Sequence, residues 1–237
     1  MRVAFITNPD GWEVPVYAAA LKKAKHSVVG VLVPLSPKPI LTRLRQRRSG
    51  ARRLLRRSER AMLLSAWSAR SRRFLRDYSA LRVYCRLHRI PMMRVWSLSS
   101  SRARRILNRL KPEILFTASL SHLVPPALIE IPRLGAVNIH GGLLPEYGGL
   151  ASAYWAVHDR QENAGVTFHT LTERFDSGRI ILRRSLKVRG ARTPEFVAEK
   201  LIRLAADALP DCVERIRAGR LETQSVVRSR LRPKPAR

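Results

Sequence analysis

At 237 residues the chain fits one domain, which buries roughly 70–75% of its unfolded surface and needs no staples to hold a core. Its cysteines, Cys85 and Cys212, lie far apart without C-x-x-C spacing, which excludes a disulfide scaffold and a zinc ribbon; no apolar run approaches the roughly 18 residues of a membrane span, and the N-terminal run is too short for a signal peptide, so a soluble cytoplasmic protein is expected. The 46 Lys and Arg against 17 Asp and Glu, a net charge of +29, bear on solubility and polyanionic partners rather than on fold, and arginine-rich genomic composition accounts for them equally well.

The short apolar run Arg2 to Thr7 ends at Asn8-Pro9-Asp10-Gly11 and reads as a buried strand stopping at a turn. Val14 to Ala24 reads as a helix and Ser27 to Val33 as a second strand, the opening of a parallel α/β sheet. The first turn carries neither G-x-G-x-x-G nor G-x-x-x-x-G-K-[ST], so a dinucleotide fingerprint and a phosphate loop are both absent.

After the proline-rich break Pro34 to Pro39 the composition changes. Eight arginines from Arg43 to Arg57 precede the first acid of the segment, Glu59, and Leu63, Trp67, Phe74, Tyr78 and Leu81 then recur at helical spacing. A basic helical insertion at about 38–82 is expected. Two readings stay open for it: an apolar stripe packed on the main domain with solvated arginines, or a weak electrostatic contact with nucleic acid or an anionic membrane surface.

Order returns with a strand over Ile90 to Trp96, a helix over Ser99 to Leu110 and a strand over Glu113 to Ala118. A short helix over Pro125 to Glu130 leads to the strand Ala136 to His140, in which Asn138 and His140 alternate and so project to the same side. Leu150 to Asp159 reads as a helix. Gly165 to Thr172 and Arg179 to Val188 read as a hairpin, with Asp176-Ser177-Gly178 as a turn between them. A last helix starts at Thr193-Pro194-Glu195 and runs towards Gly219 with a break expected near Pro210. The main domain is expected to span 1–227, and 228–237 is expected to be a disordered basic tail.

An amide, an imidazole and a carboxylate supplied from strand ends and glycine turns are the parts needed to move an acyl group, which makes Asn138, His140 and Asp176 a candidate triad. In an open α/β sheet, sites gather at the carboxyl ends of strands, where these residues fall. His122, His158 and His169 have no spacing to one another or to carboxylates that suggests a metal site, and they read as structural or surface residues. No metal is expected.

Asn138-Ile-His140-Gly-Gly-Leu-Leu-Pro145 followed by Asp176-Ser-Gly178 resembles the N-x-H-x-S-L-L-P and D-x-G signature of folate-dependent formyltransferases, the group that includes methionyl-tRNA, glycinamide-ribonucleotide and amino-sugar formyltransferases. Leu87-His-Arg-Ile-Pro91 and Arg133-Leu-Gly135 fall in the family's order, so the resemblance extends from about Val83 to Val188. It implies an open, mainly parallel twisted sheet with helices on both faces and 10-formyltetrahydrofolate as formyl donor. Formyl transfer to an amine passes through a tetrahedral oxyanion. Asn138 would donate to it, a contribution of about 3–4 kcal/mol for one such donor. His140 would assist it or relay a proton to the departing nitrogen, and Asp176 would accept the proton lost by the amine, together worth roughly 10²–10⁴ in rate.

The resemblance also implies that the folate ring sits against the loop Leu120, Ser121, His122, Leu123 and Val124 and against Thr172, Glu173, Arg174, Phe175 and Asp176. The substrate loop would comprise Gly142, Leu143, Leu144, Pro145 and Gly148. Gly142 stands where the family usually has serine and Gly148 where a basic residue is common. The glycine-rich first turn of glycinamide-ribonucleotide formyltransferases has no counterpart, and the chain after Val188 is too short for the C-terminal β-barrel of a full methionyl-tRNA formyltransferase. The expectation is therefore an N-formyltransferase acting on a primary amine of a small-molecule acceptor, an amino-sugar nucleotide being one candidate. The alternatives are a formyltetrahydrofolate hydrolase and a non-catalytic module of this fold that binds nucleic acid or anionic membrane.

Overall fold

Alternation of small and large apolar residues gives β1 (Arg2–Thr7) two buried faces. Val3 and Phe5 point into one core with Val31, Ile114 and Phe116. Ala4 and Ile6 point into another with Leu32, Val95 and Leu115. A strand buried on both sides needs helices on both sides. The computed structural model describes residues 1–9, 11–35, 80–191, 193–223, 227–229 and 231–232. The expected insertion lies outside the described residues except for its end at 80–82.

Helix α1 (Val14–Lys23) crosses from β1 to β2 (Ser27–Pro34), which pairs parallel with β1. Helical turns over 80–87 precede β3 (Met92–Val95), parallel to β2 at the sheet's edge. Helix α2 (Ser101–Leu110) starts on a capping serine, whose Ser100 Oγ accepts from the Ala103 N–H at 3.2 Å. β4 (Ile114–Ala118), the short helix α3 (Pro126–Ile129) and β5 (Ala136–His140) follow, and β4 lies between β1 and β5, parallel to both.

Beyond β5 the direction reverses. The two-residue strand β6 (Gly148–Gly149) and α4 (Ser152–His158) lead to β7 (Asn163–Thr170), antiparallel to β5, and after β8 (Ser177–Gly178) the strand β9 (Ile180–Lys187) folds back on β7 as the expected hairpin. The sheet order is β3-β2-β1-β4-β5-β7-β9. Helices α1 and α5 (Pro194–Arg217) cover one face through Tyr17, Leu21, Leu201 and Leu209. α2 and α3 cover the other through Ala103, Leu107 and Leu128. Each fully buried Leu or Phe contributes about 1.5–3 kcal/mol. No described helix is long and apolar enough to cross a membrane.

Two expectations fail. The break near Pro210 does not occur: α5 runs for 24 residues through it. Proline forfeits one backbone hydrogen bond there, but Ala206, Ala208, Leu209, Cys212 and Val213 are buried around it and hold both halves to the sheet. Within the expected disordered tail 228–237 the described residues are ordered in part, since β10 (Val227–Arg228) pairs antiparallel with β8 and β11 (Leu231–Arg232) pairs parallel with β6, while 230 and 233–237 lie outside the described residues. The tail's basic composition hides ladder partners that lie far upstream.

Candidate active site

The sheet sets the geometry of Asn138. Its register partners on the two flanking strands are Thr117 on β4 and His169 on β7. The Thr117 hydroxyl donates to Asn138 Oδ1 at 2.8 Å. His169 Nδ1 lies 3.0 Å from the Thr170 carbonyl oxygen and 3.1 Å from that of Ser177. Carbonyls only accept, so Nδ1 carries the proton and Nε2 is an acceptor, which takes a hydrogen bond from Asn138 Nδ2 at 3.1 Å. The remaining Nδ2 hydrogen faces Asp176 Oδ1 at 3.4 Å. Burial, reinforced by the charge of His140, pushes the His169 pKa down to about 4. The ring is therefore neutral at physiological pH, as its acceptor role requires.

His140 lies one alternation further along β5 and is 7% exposed. Its Nε2–H donates to the Tyr147 carbonyl at 2.6 Å, and Nδ1 faces Asp176 Oδ1 at 3.4 Å. Asp176 adopts φ +45°, a left-handed conformation that aspartate tolerates better than most residues. Its Oδ2 accepts from the Gly149 N–H at 2.6 Å. The structure thus brings Asn138, His140 and Asp176 together, with one carboxylate oxygen held by backbone and the other shared between an amide and an imidazole.

A cavity of about 660 Å³ opens on the three residues. It lies at the carboxyl ends of β1, β4 and β5, and Leu120, Ser121 and Phe175 of the expected folate subsite line it. The other expected subsite residues, His122, Leu123, Val124, Thr172, Glu173 and Arg174, are not on its wall. Val124 is buried in the core, and the Thr172 hydroxyl ties the turn by donating to the Arg174 carbonyl at 3.1 Å. The substrate loop also supports the wall instead of forming it: Gly142, Leu143, Leu144, Pro145 and Gly148 do not line the cavity. The Leu144 N–H donates to the Thr167 hydroxyl at 3.1 Å, which donates in turn to the Gly142 carbonyl at 2.7 Å.

A side chain at Gly142 would put its Cβ 2.4 Å from the Tyr147 carbonyl oxygen and 2.8 Å from His140 Nε2. The serine usual in the family has no room here. A hydroxyl reaches the same place from α4, where Ser152 Oγ lies 2.9 Å from that point.

Sequence reasoning missed His169. Thr167 and His169 alternate on β7 as Asn138 and His140 do on β5, and antiparallel pairing of those strands would have pointed to it. Among the described residues no cluster of His, Cys, Asp or Glu is arranged to hold a metal ion. Both cysteines are free and buried, and burial pushes the Cys85 thiol up to about 11 and the Cys212 thiol well above its ordinary value, so neither is an activated nucleophile.

A formyl transferase family model matches residues 1–213. The chain belongs to the formyl transferase family. Methionyl-tRNA formyltransferases are similar to it in sequence: that of Methylacidiphilum infernorum is 33% identical over 133 residues, 56% of this chain and 42% of the relative. That of Thermotoga maritima is 27% identical over 143 residues, 60% of this chain and 46% of the relative. The chain spans less than half the length of these relatives. Among solved structures, a phosphoribosylglycinamide formyltransferase from Anaplasma phagocytophilum superposes with a TM-score of 0.63 at 18% identity, covering 90% of this chain and 85% of the other. A sugar N-formyltransferase from Shewanella sp. gives 0.56 at 13% identity, covering 95% and 73%. At these identities the superpositions establish the fold: an open, mostly parallel twisted sheet with helices on both faces.

Proposed function

We propose that the chain transfers a formyl group from 10-formyltetrahydrofolate to a primary amine of a small-molecule acceptor. The observation that carries this reading is the Asn138–His140–Asp176 constellation, converging within hydrogen-bonding reach at the floor of the cavity. The cavity volume lies within the roughly 300–1,000 Å³ of small-molecule sites. Leu120 and Phe175 offer apolar surface to a flat ring, with polar groups from Asn8 and Ser121 beside them, so the residues present fit a folate. When bound, the folate supplies the formyl carbon on a nitrogen that leaves from a tetrahedral centre.

Asn138 turns its second Nδ2 hydrogen to the developing oxyanion. That hydrogen is held only by the long 3.4 Å contact with Asp176, while His169 and Thr117 keep the amide plane fixed. The His140 Nε2–H is anchored on the Tyr147 carbonyl, which leaves Nδ1, facing Asp176 Oδ1, to relay a proton from that carboxyl to the departing nitrogen. Asp176 Oδ1 receives the proton lost by the attacking amine, directly or through water. The acceptor must arrive as neutral amine, so activity falls at low pH.

The test is release of tetrahydrofolate when 10-formyltetrahydrofolate and a panel of primary amines, amino-sugar nucleotides first, are added to the protein. Amine-dependent release supports formyl transfer. Formate release without an amine would identify water as the acceptor and a hydrolase, and no release with any amine class would overturn the reading.

A further inference from the structure

We propose that the strap formed by residues 227–229 and 231–232 is a positioning device for the His140–Asp176 pair, with Ser229 and Arg232 as its working residues. The strap lies beyond residues 1–213, where the family model matches. It touches both loops that orient the pair.

On the Asp176 side, β10 pairs with β8, placing Val227 opposite Gly178 and Arg228 opposite Ser177. The Ser229 hydroxyl donates to the Asp176 carbonyl at 2.5 Å. Asp176 sits at φ +45°, and a non-glycine residue in that region persists where its surroundings over-determine it. Ser229 and the β10 ladder provide that restraint from outside the motif.

On the His140 side, β11 places Arg232 opposite Gly149, the residue whose N–H holds Asp176 Oδ2. The approach is close enough that a Cβ at Gly149 would lie 2.6 Å from the Arg232 carbonyl oxygen, so the glycine admits the strap. The Arg232 guanidinium then lies 4.7 Å from the centre of the Tyr147 ring and 5.1 Å from that of Trp155, and pairs with Asp159 Oδ2 at 2.5 Å. Tyr147 is the residue whose carbonyl receives the His140 Nε2–H. Gly148 and Gly149 carry no side chain charge of their own, and Arg232 brings a cation to that loop from more than 80 residues further along the chain. Leu231 and Arg232 also wall the cavity.

This inference rests on the proposed formyl transfer only for its kinetic readout. The experiment compares Ser229→Ala, Arg232→Met and Arg232→Lys in the full chain by three measurements: histidine ring-nitrogen NMR, melting temperature, and tetrahydrofolate release. Ser229→Ala and Arg232→Met should perturb the His140 ring-nitrogen signals from the Nε2–H pattern while melting stays cooperative. They should also lower kcat on the order of 10–100-fold with little change in KM for the folate, as misplacement of a catalytic group does. Arg232→Lys should recover part of that loss. Unchanged His140 signals in both Ser229→Ala and Arg232→Met would overturn the proposal. So would perturbed signals that appear only where cooperative melting is lost, because the strap would then serve stability alone. A wild-type protein that releases no tetrahydrofolate would refute the functional reading, and the His140 signals would still decide the strap.

Discussion

His169 fixes the chemistry of Asn138 by remaining neutral, and this ties stability to pH. Its folded pKa of about 4 lies below the ordinary 6.5 because of burial first and the His140 charge second. A histidine with a depressed folded pKa contributes its full stability above the unfolded value, and loses it as pH falls from about 6.5 towards 4. The loss is on the order of 3 kcal/mol across that window. His169→Gln removes this titration. Its melting temperature should fall less than that of the wild type between pH 7 and pH 4.5, measured by calorimetry in matched buffers; equal slopes would show that another group carries the acid sensitivity. The shared placement of Asn138 and His140 was open to sequence reasoning because a strand's alternation puts them on one side. His169 acts across a strand pair, and pairing is not written in the spacing of a single segment.

At the scale of elements, local patterns located nearly every strand and helix, while the interruptions were misjudged. Pro210 reads as a stop from chain chemistry alone, but burial of the residues on both sides outweighs one missing hydrogen bond. Pro210→Ala restores the donor to the helix. It should stabilise the protein by about 1–2 kcal/mol, part of the usual penalty for an interior proline, raising the melting temperature by roughly 2–8 °C for a domain of this size. A melting temperature that drops instead would mean that the ring fills space the core depends on. The strap was illegible for a related reason: strands of two residues carry no periodicity, and their partners β6 and β8 are themselves glycine-rich turns by composition.

At the scale of the molecule, the strand order places the site. The chain runs from β1 outward to β2 and β3, then returns to β4 on the other side, leaving a crevice at the carboxyl ends of β1 and β4, where ligands of open α/β sheets bind. Sequence reasoning supplied the strands and the fold class but not this order, which depends on which hydrophobic faces meet. The charge of +29 acts at this scale too. The two readings of that charge part under salt: a polyanion contact predicts binding to single-stranded RNA that weakens steeply between 50 and 200 mM salt, by orders of magnitude if several phosphates are neutralised, whereas absent or salt-independent binding means that the arginines only solvate the surface.

Formyl transfer at Asn138 is tested most directly by supplying 10-formyltetrahydrofolate with a ¹³C-labelled formyl group and an amine acceptor, and following the label by NMR in wild type and in Asn138→Ala. The label should appear as the acceptor's formamide with the wild type, and about 10²–10³-fold more slowly with the variant, the usual effect of removing one oxyanion donor. Label transfer at the same rate in both proteins, or no formamide from the wild type with any amine, would contradict it.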